Sequence, residues 1–269
     1  MNEVSVGKPI KKPIKKRIRN WVVFAIVVLI YVWAFWGAPH ISLKSSAITA
    51  IKFIVHGIFH PDWSYISEPG GEDLLHALLQ TLAIAILGTF ISAIICVPFA
   101  FWAARNISKN YWVSGFGKAV LSCIRVFPEL IMALLFIKAV GLGPFAGILA
   151  LGFHSVGMLG KLFGESIENT EFNAREALIA SGANRIQILR FAIIPEILPA
   201  FMSYTLYRFE ISVRSATILG IVGAGGIGAP LIFALQGHSW PRVGIILWGI
   251  IVMVTAIDLI SSTIRKRLI

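Results

Sequence analysis

Of 269 residues, 57% are hydrophobic and 14% charged, and 24 Lys+Arg against 13 Asp+Glu leave a formal net charge of +11. A water-soluble domain carries about 25% charged residues, so a mean hydropathy of +0.81 excludes most soluble folds and points to the bilayer as solvent. Cys96 and Cys123 lie inside apolar stretches without metal-ligand spacing, which argues against a disulfide framework or a metal site.

Residues 1–20 form a basic arm holding Lys8, Lys11, Lys12, Lys15, Lys16, Arg17 and Arg19. The apolar run that follows, Trp21 to Ala38, is too long for the core of a secretory signal. It ends Trp33-Ala34-Phe35-Trp36 with no small-x-small cleavage site, so an uncleaved anchor is expected over residues 21–38. Residues 39–73 read as an extracytoplasmic loop. Within it, Ala47 to Phe59 follows the possible caps Ser45 and Ser46 and places Ile48, Ile51, Ile54, Val55 and Ile58 at helical spacing. That helix is too short to span and ends at His60-Pro61, so it is expected to lie in the membrane interface.

Five further runs approach the ~20 apolar residues a helix needs to cross hydrocarbon. They are Leu74 to Ala104, Val120 to Val140, Pro144 to Phe163, Pro199 to about Val222, and Val243 to Ile260. The expected fold is therefore an all-α integral membrane protein of six spans, with a core domain over residues 74–263 and a basic tail over 264–269. Short cytoplasmic loops are enriched in Lys and Arg. With both termini inside, 17 of these residues fall on the cytoplasmic side against six acidic ones, four face four outside, and three face three within the spans. The whole excess thus lies on one side, including Arg105 and the predicted Asn106 to Ala119 loop. Such a distribution fits contact with anionic lipid and removes the case for nucleic acid.

The longest polar interval between spans, Gly164 to Glu196, falls on the cytoplasmic side. Asn173-Ala-Arg-Glu176 and Asn184-Arg-Ile-Gln187 each match a capping box, predicting two short helices with Gly182 as a left-handed stop between them and Pro195 ending the second. Ala177, Leu178, Ile188 and Leu189 give the pair an apolar face, which either docks on a partner or lies on headgroups.

Glu176-Ala177-Leu178, three residues, Gly182, then Ile194-Pro195 resembles the EAA loop of ABC importer permeases, departing from it at Leu178, Ala192 and Ile194. Ala139 to Gly147, Gly160-Lys161-Leu162, Ser181 to Asn184, Ser203 to Glu210 and Val213 to Thr217 narrow the resemblance to phosphonate-importer permeases, from about Leu74 onward. The resemblance implies a type I importer permease architecture like that of methionine-importer permeases, in a bacterial inner membrane. It implies a homodimer, two ATPase subunits and an extracytoplasmic binding protein delivering the substrate. ATP and magnesium would then reside on the partner ATPase, with no cofactor in this chain. The ATPase-coupling residues implied are Glu176, Ala177, Gly182, Asn184 and Pro195. Nothing in the spacing separates phosphonate from phosphite, hypophosphite or a phosphate ester.

Gly223-Ala-Gly225-Gly226-Ile-Gly228 imitates a dinucleotide-binding fingerprint, but the next acidic residue is Asp258, inside the final span, and no P-loop sequence occurs. A break in a membrane helix explains these glycines better, either lining a water-filled cavity or permitting close helix packing. Arg125, Glu129, Arg208, Glu210 and Arg214 lie in or near apolar runs, where each charge costs about 2.5 to 3.5 kcal/mol at a helix centre. Arg125 with Glu129, and Glu210 with Arg214, have the spacing of pairs within one helix, which leaves Arg208 over. A guanidinium beside Tyr204 suits a phosphorus oxyanion, so Tyr204, Arg208, Glu210, Arg214 and the four glycines are the candidate translocation path. His154 has no carboxylate at helical spacing and reads as a packed histidine; Ser155, Lys138 and Lys161 carry no signal of their own. A permease subunit accounts for these features together. The alternative, a self-sufficient secondary transporter for a small anion, would show two interrupted helices in corresponding positions, and only one break is visible. An integral-membrane enzyme would need a clustered His/Asp/Glu or Ser/His constellation, whereas the six histidines are scattered.

Overall fold

The computed structural model describes residues 14–37, 45–67, 73–107, 111–170 and 173–268, and among these every regular element is helical. The chain divides into two units, Met1–Ile51 and Lys52–Ile269. In the first, α1 (Ile14–Gly37) exposes its large apolar side chains from Trp21 to Trp36. A helix apolar on all sides needs hydrocarbon around it. It begins seven residues before the predicted anchor, so the basic arm runs into the helix.

The next helix, α2 (Ser45–Phe59), crosses the unit boundary, and the side chains of Ser45 and Ser46 lie outside the described residues. Its second half docks within the larger unit. A Cβ on Gly57 would come within 2.5 Å of the Trp240 Cβ, and Trp248 Nε1 donates to the Ile58 carbonyl at 3.0 Å.

In the larger unit α3 (Leu74–Ala103) runs along α6 (Pro144–Glu168) as the most extensive helix pair. Its buried face is Ala77, Thr81, Ile84, Ala85, Gly88, Ser92, Cys96 and Ala100, mostly small residues three or four apart. A Cβ on Gly88 would already stand 3.0 Å from the Leu151 Cβ and 3.3 Å from the Ile148 carbonyl. Between apolar helices in lipid, such small residues supply the close backbone approach from which packing energy comes.

The predicted span Val120 to Val140 is two helices, α4 (Tyr111–Val126) and α5 (Glu129–Val140), bent by 84°. Pro128 has no N–H and disfavours helix at Phe127, so an apolar run of sufficient length does not remain one helix. The predicted loop Asn106 to Ala119 is likewise mostly α4. Ser114 and Gly117 turn inward there, and Gly117 lies against Ala103 of α3.

The polar interval from Gly164 to Glu196 contains α7 (Asn173–Ala180) and α8 (Arg185–Ile188). Contrary to expectation, Pro195 does not end the second helix. A π-helical turn, Leu189–Ile193, carries α8 into α9 (Ile194–Leu219), with Ile194 N–H donating to the Leu189 carbonyl. A widened turn just before a proline realigns the backbone where the ring has no N–H to offer, so helix continues from Arg185 to Val222. After the glycine-rich break come α10 (Gly228–Gln236) and α11 (Trp240–Leu268). Among the described residues, five helices are long and apolar enough to cross a membrane, or six spans if α4 and α5 form one.

Candidate functional site

The segment between α6 and α9 is held at both ends. At its start, Glu168 accepts from Lys118 Nζ at 2.7 and 2.9 Å and from the Arg105 N–H at 2.7 Å, while Asn106 Nδ2 donates to the Ile167 carbonyl at 2.6 Å. The far end runs without interruption into α9. Between these anchors Gly182 has φ +82°, its N–H donates to the Ile179 carbonyl at 3.0 Å, and Ala183 N–H donates to the Leu178 carbonyl at 2.9 Å. Those two bonds are the left-handed cap expected at this glycine.

Asn184 Oδ1 accepts from the Gln187 N–H at 2.9 Å and Gln187 Oε1 from the Asn184 N–H at 2.8 Å, a complete capping box. The corresponding box at Asn173 cannot be described, because that side chain lies outside the described residues. Glu176, Ala177 and Pro195 are exposed, as are Ile179, Ile186 and Phe191. The apolar side chains on this capped helix pair are therefore surface and not core.

The intramembrane charges pair between helices, not within them. Glu129 does not pair with Arg125, because the bend at Phe127 and Pro128 removes the continuous helix that their spacing assumed, and Arg125 is exposed at the end of α4. Glu129 Oε1 instead accepts from Arg208 Nη2. Arg208, the residue left over in the sequence, is only 2% exposed, and its Nε donates to Ser155 Oγ at 2.7 Å. This arrangement withdraws it from the candidate path in the present conformation. Glu210 turns away from Arg214 and accepts from Arg265 Nη2 of α11 at 2.9 Å, with the Arg265 guanidinium 5.9 Å from the Tyr207 ring. Arg214 Nη2 donates to Asp258 Oδ2, also on α11. Buried charges retain only geometries that satisfy their hydrogen bonds, and facing helices offer better ones than an i,i+4 neighbour.

Arg214 and Asp258 stand apart from the others because their side chains are 50% and 38% exposed, while Asp258 Oδ1 is buried without a partner. Tyr204 is half-buried beside the cluster built around the Phe163–Phe201 stack. His154 does have a carboxylate near it, on another helix: Nε2 lies 3.5 Å from Glu129 Oε1, and Nδ1 is 3.0 Å from the Phe127 carbonyl.

Gly223, Gly225 and Gly226 have φ of +92°, +81° and +83°. The loop packs on protein: Gly226 and Ile227 N–H groups donate to Gln80 Oε1 and Thr81 Oγ1, each at 2.8 Å, and Gly143 N–H donates to the Gly223 carbonyl at 3.0 Å. A Cβ on Gly225 would lie 2.8 Å from the Pro144 Cα, and Gly228 is buried against the end of α9. Of the two readings of the break, the geometry favours close packing. Sequence reasoning missed Gln80, Thr81, Ser155, Asp258 and Arg265, and a polar side chain at helical spacing on an apolar run was the available signal for the first two.

Residues 96–269 match the family described as binding-protein-dependent transport system inner membrane component. A phosphite transport system permease protein, PtxC, of Stutzerimonas stutzeri is 38% identical over 248 residues, covering 91% of this chain and 87% of that protein. The phosphate-import permease protein PhnE of Mycolicibacterium smegmatis is 40% identical over 191 residues, 71% of this chain and 36% of its own. Among solved structures, an inward-facing MetNI methionine ABC transporter chain superposes with a TM-score of 0.66 at 22% identity, covering 76% of this chain and 99% of that one. The helical architecture is thus that of an ABC importer permease, and the chain is a multi-pass membrane protein. It belongs to the binding-protein-dependent transport system inner membrane component family.

Proposed function

We propose that this chain is the transmembrane subunit of an ATP-driven importer for a phosphorus oxyanion, phosphite or a phosphonate, and that it works as a homodimer with two ATPase subunits and an extracytoplasmic binding protein. The observation that carries the reading is the half-exposed Arg214–Asp258 pair within apolar helices. Charges there face water or protein rather than lipid, so this side of α9 and α11 lines a path or meets the second copy. A guanidinium is also the side chain best matched to phosphorus oxyanions. The names of the related phosphite and phosphate permeases support the same substrate class.

Both termini are cytoplasmic in this reading, supported by the one-sided Lys and Arg distribution. The Glu176 to Pro195 element is then the cytoplasmic docking surface, and Ile179, Ile186 and Phe191 are its apolar contacts. ATP binding and hydrolysis on the partners bias the same two-state bundle that the substrate biases, which is what coupling requires.

The test is uptake of labelled phosphite and methylphosphonate into proteoliposomes holding the chain with its ATPase and binding protein. Arg214→Gln is expected to lower uptake by at least tenfold, corresponding to about 1.4 kcal/mol or more of lost interaction, while Arg214→Lys retains part of it. Uptake by the chain alone, without ATPase, would instead establish a self-sufficient transporter.

A further inference from the structure

Arg208 joins three helices at one buried point. From α9 its guanidinium reaches Ser155 Oγ at 2.7 Å and Met158 Sδ at 3.5 Å on α6, and Glu129 Oε1 on α5. Glu129 is the first residue of α5, directly after the proline at the 84° bend.

The bend itself has unusual backbone bonding. In an uninterrupted helix the Phe127 carbonyl would accept from the Ile131 N–H. Here Ile131 and Met132 both donate to the Pro128 carbonyl, at 3.1 and 3.2 Å. His154 Nδ1 takes the vacated position at 3.0 Å, and because a carbonyl only accepts, Nδ1 carries the hydrogen. The break is therefore held by side chains of α6 and by Arg208 in place of a continuous helical ladder.

Arg208 also lies on the helix that runs from Arg185 to Val222. Ile186, 75% exposed on α8, is 22 residues before it, or roughly 33 Å at about 1.5 Å per residue. A displacement of the exposed helix pair would reach Arg208 along this rod. Pulling Arg208 from Glu129 would leave two uncompensated charges in an apolar bundle, whereas rotation at Phe127 and Pro128 breaks no helical hydrogen-bond ladder. The compliant break thus follows the rod.

We propose that Arg208 and Glu129 form a pin through which movement of the coupling helices is converted into a change of the α4–α5 bend, with Ser155 and His154 as positioning residues for it. The proposal rests on the importer reading, since it needs a partner that moves α7 and α8.

The experiment uses the full chain reconstituted with ATPase and binding protein, in a Cys123→Ser background; Cys96 is buried. Spin labels are placed singly at Leu198→Cys on α9, beyond the docking element, and Leu135→Cys on α5, both exposed positions. With the pin intact, both labels are expected to change their spectra on adding ATP. In Glu129→Gln and Arg208→Lys, the response at 198 is expected to persist and that at 135 to be lost. Uptake per ATP hydrolysed should fall about tenfold, a typical coupling factor.

Glu129→Gln leaves the buried Arg208 a lone charge and can prevent folding, so the neutral double variant Glu129→Gln/Arg208→Gln is the decisive one. It is expected to assemble, hydrolyse ATP and lose the response at 135. A wild-type uptake ratio together with a preserved 135 response in the double variant overturns the proposal. Absence of ATP-driven uptake by the unaltered chain is the failure of the importer reading, and overturns the pin with it.

Discussion

Gly228→Ala is expected to abolish accumulation of folded protein, although alanine is the better helix former. The added Cβ would meet the Thr217 carbonyl and stand 2.6 Å from the Ile221 nitrogen and 2.7 Å from the Gly220 carbonyl carbon. All three neighbours are backbone at the end of α9, so no side chain can rotate aside. Overpacking a closed site costs about 1–3 kcal/mol and more where the surroundings cannot relax, against roughly 0.5–1 kcal/mol gained from the substitution in an open helix. Overpacking wins. Gly115→Ala in α4 isolates the propensity effect, because nothing lies within 4 Å of its Cβ, and it is expected to match or exceed the unaltered protein. The measurement is the yield of monodisperse detergent-solubilised protein and its thermal midpoint. Normal yield from Gly228→Ala would mean that the 223–228 loop is not closed against α9.

This packing explains why much of the fold was legible. Long apolar runs identify α3, α6, α9 and α11, since only hydrocarbon or a large core accommodates them. What remained hidden concerns how runs are interrupted. Pro128 sits between Phe127 and Glu129 in a sequence that stays apolar on both sides, and composition cannot distinguish a span from two helices bent by 84°. Pro195 misleads in the opposite direction. The local rule ends a helix there, while a π turn at Leu189–Ile193 lets it continue.

The site divides along the same line. Gly182 and the Asn184 box are local devices whose partners lie within five residues, and they form as their spacing predicts. The ion pairs join residues 79, 55 and 44 positions apart, so nothing in the sequence nominates them. The i,i+4 alternatives at Arg125–Glu129 and Glu210–Arg214 were visible and were outcompeted, the first by a bend and the second by partners on α11. Ser155 carried no signal because a lone hydroxyl on an apolar helix acquires meaning only from the guanidinium that reaches it.

Gly182→Val is expected to leave the bundle intact and to remove transport. Its φ of +82° is the left-handed region, where a β-branched residue is penalised by about 1–2 kcal/mol or more, and no atom lies within 4 Å of its Cβ. The effect is therefore conformational and not steric. It falls on α7, only eight residues long and marginal without its cap, because the Gly182–Ile179 and Ala183–Leu178 hydrogen bonds both require the left-handed turn. The three apolar clusters of the larger unit contain no residue of α7, so thermal stability of the solubilised protein is expected to stay near that of the unaltered chain. Uptake with ATPase subunits and binding protein should fall more than tenfold, beyond about 1.4 kcal/mol of coupling energy. Gly182→Asn should retain most activity, since asparagine tolerates this conformation, and Gly182→Ala should fall between them. That graded order, glycine above asparagine above alanine above valine at constant thermal stability, follows the backbone requirement and nothing else. Normal uptake by Gly182→Val would mean that the α7–α8 pair is not the element through which the ATPase acts.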